Sequence, residues 1–420
     1  MNAAVSVKGW CPGALRPMRS GDGLIVRVRV PGATLAPERA LALADLARRF
    51  GNGAIDLTRR ASLQIRGVAQ EDWSPLIGAL QTLGLVADSE EAERVHIVGP
   101  PAGGLDSMAL VDARTMARGL EAGLLAAPHL RALPDKFGWA IDDGGALPPG
   151  PVGADVSLVA RGPGGSPSVA LVLADEPAVA RIVPPQEAVP AALAVAHAFL
   201  ALARARPGVR RMRHLLGEVG ADAVFAAAGL GGAAAARGEV RPPAPPLFGL
   251  RPIGSGCVIG VGAPFGAWDA DDFAAVAQTA AIAPGGTLRL TPWRAVLVAG
   301  LAAGQAEAAL AHFAARGLIT GDADPRRAIA CCPGAPACAS ASVETRGLAA
   351  DIASHLTVPP ARPIHVSGCA KGCASSTPGL TLVGRDGRYD LAHGRAGDPP
   401  RMAGLSRAEA ARAVLERLSP

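Results

Sequence analysis

Residues 21–32 read "GDGLIVRVRVPG", and residues 254–265 read "GSGCVIGVGAPF". Laid over each other at a constant offset of 233, they open a repeat that continues to residues 67 and 300. "GAIDLTRRASLQIRG" (53–67) then lies over "GTLRLTPWRAVLVAG" (286–300). Without a gap, Gly23 falls on Gly256, Pro31 on Pro264, Gly53 on Gly286, Leu57 on Leu290, Thr58 on Thr291 and Gly67 on Gly300. Register kept through so many glycine and proline positions marks a duplicated supersecondary unit. In the first copy Val26, Val28 and Val30 alternate with Arg27 and Arg29, the period of a half-buried strand. Ala40, Leu43, Ala44 and Ala47 follow at helical spacing, and their partners Phe273, Val276, Ala277 and Ala280 keep it. Short strands around 54–58 and 62–66 close the unit. Each copy reads strand–helix–strand–strand, half of a split βαβ sheet, and two halves can pair across a pseudo-twofold axis.

The rest of the chain falls around this repeat. Each copy is followed by a longer α/β segment. "EVRPPAPPLFGLRP" (239–252) is proline-rich, as a linker between them should be. The expected organisation is α+β: a first half-domain over 1–75, a first large α/β domain over 76–245, a second half-domain over 246–309 and a second large domain over 310–420.

Composition bounds the function. The 420 residues are 50% hydrophobic but only 3% aromatic, so the core must be aliphatic. The formal charge of +5 comes without a long basic run or stacking aromatics, which excludes a typical nucleic-acid binder and suits a small polyanionic substrate. The start "MNAAVSVKGWCPG" has no apolar signal segment. The apolar run 187–205 contains Pro190 and His197 and reads as a buried helix, not a membrane span. A cytoplasmic protein is expected, with no nucleic-acid or membrane partner. There, seven cysteines point to metal or redox chemistry before disulfides.

Four of those cysteines stand in two loops. "ACCPGAPACASA" (330–341) holds Cys332 and Cys338, and "HVSGCAKGCASS" (365–376) holds Cys369 and Cys373. Spacings C-x5-C and C-x3-C suit a four-iron, four-sulfur cluster, one cysteine per iron. Small flanking residues let backbone N–H groups reach the sulfurs. Zinc is the competing reading, although its sites favour C-x2-C knuckles. Cys331 beside Cys332 leaves a C-x6-C alternative open. Cys257 and Cys11 are expected in the core.

With these residues the chain resembles the nitrite/sulfite reductase superfamily. That family combines a C-x5-C…C-x3-C cluster site with two ferredoxin-like half-domains, each followed by a cofactor-binding domain. In its reductases the last cysteine, here Cys373, also bridges the cluster to siroheme. "WCPGALRPMRSGDGLIVRVRVPG", "FGNGAIDLTRRASLQIRGV" and "PPAGGLD" look like one branch, the precorrin-3B synthases of aerobic cobalamin synthesis. The family's "LTTRQ" arginine matches Arg60, and its "LPRKFK" lysine pair falls on Lys136 and Gly138. A further cage arginine falls near Arg94. Losing one lysine at Gly138 handicaps a six-electron reduction and favours the synthase branch.

The resemblance implies a monooxygenase acting on precorrin-3A with O2 and an external NADH-linked electron donor. It also implies a 4Fe–4S cluster and a mononuclear non-haem iron; siroheme belongs to the alternative, a nitrite or sulfite reductase. Arg59, Arg60, Arg66, Arg94 and Lys136 form the expected clamp on substrate carboxylates, with Arg60 and Lys136 as catalytic candidates. Iron ligands are not legible among the scattered histidines, of which His365 is the best placed. The basic stretch 206–220 is a further candidate for the cleft.

Overall fold

The computed structural model describes residues 11–162, 166–232, 235–236, 247–254, 256–375 and 377–418. Most of the proline-rich linker, 239–246, lies outside them.

The two repeats build two five-stranded sheets. The first runs Met18–Ser20, Gly23–Val28, Leu63–Val68, Ala54–Leu57, and the second Gly249–Ile253, Gly256–Gly262, Ala295–Ala299, Thr287–Leu290. Each is completed by a strand from the other repeat. Ala267–Asp269 joins the first sheet, with Trp268 opposite Ile55, and Thr34–Leu35 joins the second, with Leu35 opposite Leu288. These exchanged strands stand at matching positions of the repeat. Each follows the same tight turn, held by left-handed residues at Gly32 and Ala33 in one copy and Phe265 and Gly266 in the other. The tips match as well: Ala61 and Arg294, again 233 apart, both have positive φ.

Helices Pro37–Phe50 and Ala270–Ala281 cover the inner faces and pack on each other, so one core serves both sheets. Its aliphatic filling includes Val26, Val28, Leu43, Ile65, Val276 and Leu288, with Trp268 set edge-on to Phe273. Full burial of a side chain of Phe273's size contributes about 1.5–3 kcal/mol.

The first large segment forms a six-stranded mixed sheet from Ile97–Val98 to Ala235–Ala236. The apolar run is the helix Ala188–Ala203. Ala192, Val195, Ala196 and Phe199 bury it in that segment's core, which explains why it is long and apolar enough to resemble a membrane span. The second large segment forms a five-stranded sheet in the order Ile329–Cys331, Ile364–Ser367, Gly379–Arg385, Arg388–Gly394, Met402–Leu405. Helices Arg346–Ser354 and Arg407–Glu416 pack on it.

Candidate functional site

Strands Ile329–Cys331 and Ile364–Ser367 are parallel neighbours, with Cys331 opposite Val366. Both cysteine loops therefore leave the same end of the sheet. The loops are stitched together: Cys332 N–H donates to Val366 O (3.3 Å), Ser342 N–H to Gly368 O (3.0 Å), and Lys371 Nζ to Ser340 Oγ (3.1 Å). Gly368 N–H reaches the Cys332 sulfur at 3.2 Å. A Cβ at Gly368 would lie 2.5 Å from Ala341 Cβ, so only glycine permits this approach. Desolvation raises the thiol pKa of Cys369 and Cys373, and the neighbouring cysteines of the set raise it further. Four thiols sharing one region, with a backbone donor to sulfur, fit a polynuclear cluster. The C-x5-C and C-x3-C spacings differ from the C-x2-C knuckles that zinc favours.

Strand alternation separates the adjacent cysteines. Cys331 shares the inward face with Ile329 and lies in the core, where burial pushes its thiol up to about 12. Cys332 stands beyond the strand end, beside the other loop. Cys257 packs at the edge of the shared core, its thiol donating to Leu301 O (2.9 Å).

The outer face of the first sheet carries the larger site. Arg27 and Arg29, the polar half of the alternating strand, face a cavity of about 420 Å³. Arg16, Arg60, Arg94, Arg114, Arg118 and Arg289 also line it, against the acids Glu90, Glu93, Glu121 and Asp135. Arg94 is held by Asp135 (2.7 Å) and Leu133 O (2.8 Å), Arg29 by Glu121 and Ala92 O, and Arg289 donates to Gly103 O (3.0 Å). Desolvation lowers the Arg60 pKa and takes Arg289 down to about 10. The His96 imidazole, desolvated and beside Arg60, Arg27 and Arg29, is held well below its usual pKa and is neutral. Its Nε2 and the Arg27 Nε are buried without a partner. Crowded, partly unmatched guanidiniums suit a polycarboxylate.

The duplication offers a mirror cavity, but it is largely filled. Gly260 and Gly262 replace Arg27 and Arg29 at the offset of 233. A Cβ at Gly260 would lie 2.2 Å from Leu247 O, and one at Gly262 2.6 Å from the Phe248 ring. Leu247, Phe248, Ile253, Leu297 and Ile319 occupy that face.

The expected clamp is thus redistributed. Arg60 and Arg94 line the large cavity. Lys136 is exposed and contributes its carbonyl, which accepts from Arg60 Nη2 (3.3 Å), while its ammonium does not line the cavity. Arg66 is only 3% exposed and is consumed by Asp22 (2.9 Å), Asp56 (3.3 Å) and Ala337 O (2.9 Å), so it locks the sheet to the first cysteine loop. Arg59 turns into the remnant of the mirror cavity. Cys11, expected in the core, lines the large cavity. His365 is buried with neither ring nitrogen partnered, and among the described residues no carboxylate and second imidazole complete an iron site around it. From the basic stretch, Arg211 pairs with Asp155 (2.9 Å), which also accepts from Gly138 N–H (2.9 Å), and so supports the loop beneath Arg60. A Cβ at Gly138 would meet nothing closer than 3.8 Å, so space does not explain the missing lysine.

Sequence reasoning missed Arg16, Arg114, Arg118, Arg289 and His96. Arg27 and Arg29 were legible as the polar face of a strand. Arg114 and Arg118 share a face of the helix Ala113–Ala126 by their i, i+4 spacing, a signal that any solvated helix also gives.

Cavity and cysteine loops are physically joined. Cys11, Pro12, Gly13 and Arg16 line the cavity, and four residues beyond Arg16, Ser20 Oγ and Gly21 N–H donate to Ala337 O (2.6 and 3.2 Å), next to Cys338. Arg346 ties Asp56 to the helix behind the loops (2.5 Å).

This two-repeat frame, with its paired cysteine loops, is that of the nitrite/sulfite reductase class of oxidoreductases. Residues 16–83 match the nitrite/sulfite reductase ferredoxin-like half domain. The solved structure of Mycobacterium tuberculosis NirA protein superposes with a TM-score of 0.72 at 20% identity, covering 93% of this chain and 79% of that one. Within the class, a ferredoxin–nitrite reductase of Synechococcus elongatus is 35% identical, but over only 31% of this chain and 26% of its own. A precorrin-3B synthase of a Sinorhizobium species is 32% identical over 91% of this chain and 82% of its own. The chain belongs to the precorrin-3B synthase family.

Proposed function

We propose that the protein converts precorrin-3A to precorrin-3B, hydroxylating the meso carbon between rings D and A and closing the ring A acetate to a lactone. One oxygen atom of O2 enters the product and the other leaves as water, with two electrons from an external NADH-linked donor. The observation that carries this reading is the cavity on the first half-sheet: about 420 Å³ walled by arginines, where a tetrapyrrole fringed with carboxylates finds a bidentate partner on several sides. Loss of the lysine at Gly138 speaks against the alternative, a siroheme nitrite or sulfite reductase.

Cys332, Cys338, Cys369 and Cys373 would hold a 4Fe–4S cluster, which supplies single-electron transfer when bound. The chain's own residues do the rest. Arg27, Arg29 and Arg60 bind and orient the carboxylates, and Arg94 with Asp135 closes one wall. Neutral His96 stands in the cavity wall, its Nε2 buried and unmatched. No ligand set for a mononuclear iron is assigned. Seven free cysteines suit a reducing, cytoplasmic setting.

The test is anaerobic purification with acid extraction of pigment, followed by precorrin-3A turnover under O2. Iron–sulfur absorption, no extractable siroheme and oxygen-dependent product support the synthase. Extractable siroheme with nitrite or sulfite turnover identifies a reductase. Arg60→Gln should weaken substrate binding while iron and sulfide content stay at wild-type levels.

A further inference from the structure

The mirror cavity is not wholly filled. A space of about 190 Å³ remains where the second repeat, the second large domain and the loop after Cys373 meet. Its walls correspond to those of the large cavity at the same offset: Trp293 stands for Arg60, Arg294 for Ala61 and Arg327 for Arg94. The chemistry differs. Arg326 and Arg327 are neutralised by Asp324 and Asp322. Arg59 and Arg294 have no carboxylate partner among the described residues. Arg294 donates only to the carbonyls of Phe265 (3.3 Å) and Ala374 (3.1 Å). Burial lowers the pKa of both guanidiniums, and the nearby charge of Arg59 lowers that of Arg294 further. The Trp293 indole N–H is buried in the same wall without an acceptor, and Ser375 and Thr377 add hydroxyl-bearing residues. Among the described residues no Asp or Glu lines the space.

Two desolvated like charges and an orphaned indole donor are costly unless an anion offsets them. We propose that this remnant is a second, separate anion site. It takes one compact oxyanion, a carboxylate group or an ion of the size of sulfate, between Arg59 and Arg294 beside the loop that carries Cys373. A whole tetrapyrrole does not fit, because Phe248 and Trp293 occupy its half of the space. The substrate cavity and this site share no lining residue, although Arg59 adjoins Arg60, so their ligands need not compete.

The experiment counts bound anion directly. The holoprotein, Arg59→Gln and Arg27→Gln are dialysed to equilibrium against radiolabelled sulfate, and separately acetate, at low ionic strength. Bromide-soaked crystals locate the site. Expected is one saturable site that weakens about tenfold or more in Arg59→Gln but not in Arg27→Gln, with a bromide between Arg59 and Arg294. The ratio of acetate to sulfate affinity tells a carboxylate group from an inorganic ion. Anion binding lost in Arg27→Gln but kept in Arg59→Gln assigns it to the substrate cavity and overturns the proposal, as does absence of bromide at Arg294. Neither result touches the synthase reading, which stands or falls on turnover.

Discussion

Arg66→Met separates a lock from a clamp. The arginine is 3% exposed and meets Asp22 through both Nε and Nη2 at 2.9 Å, Asp56 at 3.3 Å and Ala337 O at 2.9 Å. Methionine fills much of the volume but leaves Asp22 without its partner. Asp56 keeps Arg346 at 2.5 Å. Removing one member of a buried ion pair costs about 3–5 kcal/mol, and the surviving Asp56–Arg346 contact puts this case at the lower end. For a cooperative unit of 150–250 residues each kcal/mol moves the melting point by about 2–4 °C, so about 3 kcal/mol lowers it by about 6–12 °C. The assay is anaerobic thermal unfolding followed by circular dichroism, with iron and sulfide counted per chain. Iron content should also fall, because Ala337 is then held only by Ser20 and Gly21. Molecules that retain a cluster should bind substrate as the wild type does. An unchanged melting point and full iron content, with weakened substrate binding, would refute the lock and return Arg66 to the clamp.

Cys332→Ala should abolish cluster assembly, whereas Cys331→Ala should retain iron and sulfide at a cost of about 1 kcal/mol, read by metal analysis and melting. Gly260→Ala places a Cβ against Leu247 O and should destabilise by about 1–3 kcal/mol without changing substrate affinity. His365 is neutral in the fold, its pKa pushed down to about 4 by desolvation, with Arg294 and Arg59 adding. The unfolded chain takes up a proton near the ordinary 6.5, so the native state loses stability as pH falls from about 6.5 to 4, by on the order of 3 kcal/mol. His365→Gln should flatten that part of a stability–pH profile; an unchanged profile would place the acid sensitivity elsewhere.

What was legible depended on how locally each feature is encoded. The duplication shows in the chain because Pro31 and Pro264 open the same tight turn, and Gly67 and Gly300 take the same positive φ, in both copies. The cysteine pairs show because each lies in one loop. The strand exchange does not, since Thr34–Leu35 and Ala267–Asp269 are too short to carry a period and their partners lie in the other repeat. The cavity wall is equally dispersed: Arg27, Arg114 and Arg289 come from a strand, a helix and the opposite repeat. Arg66 misled because an arginine on the polar face of a strand carries no mark of whether a carboxylate waits above it. The inward position of Cys331 was present in the alternation with Ile329, but only once that strand's end was known.

The exchanged edge strands give this chain the anatomy of a strand-swapped dimer whose two members have been fused. A lone repeat would present an open sheet edge and could close it only on a second copy, at the mercy of concentration. The tether makes the encounter intramolecular. Fusion also lifts a symmetry constraint. In a homodimer every arginine in one cavity must appear in the other, and no residue can plug one without plugging both. A single chain is free to place Arg27 and Arg29 on one side, and Gly260 and Gly262 beneath Leu247 and Phe248 on the other. The lopsidedness that leaves one large cavity is therefore available only to the fused form.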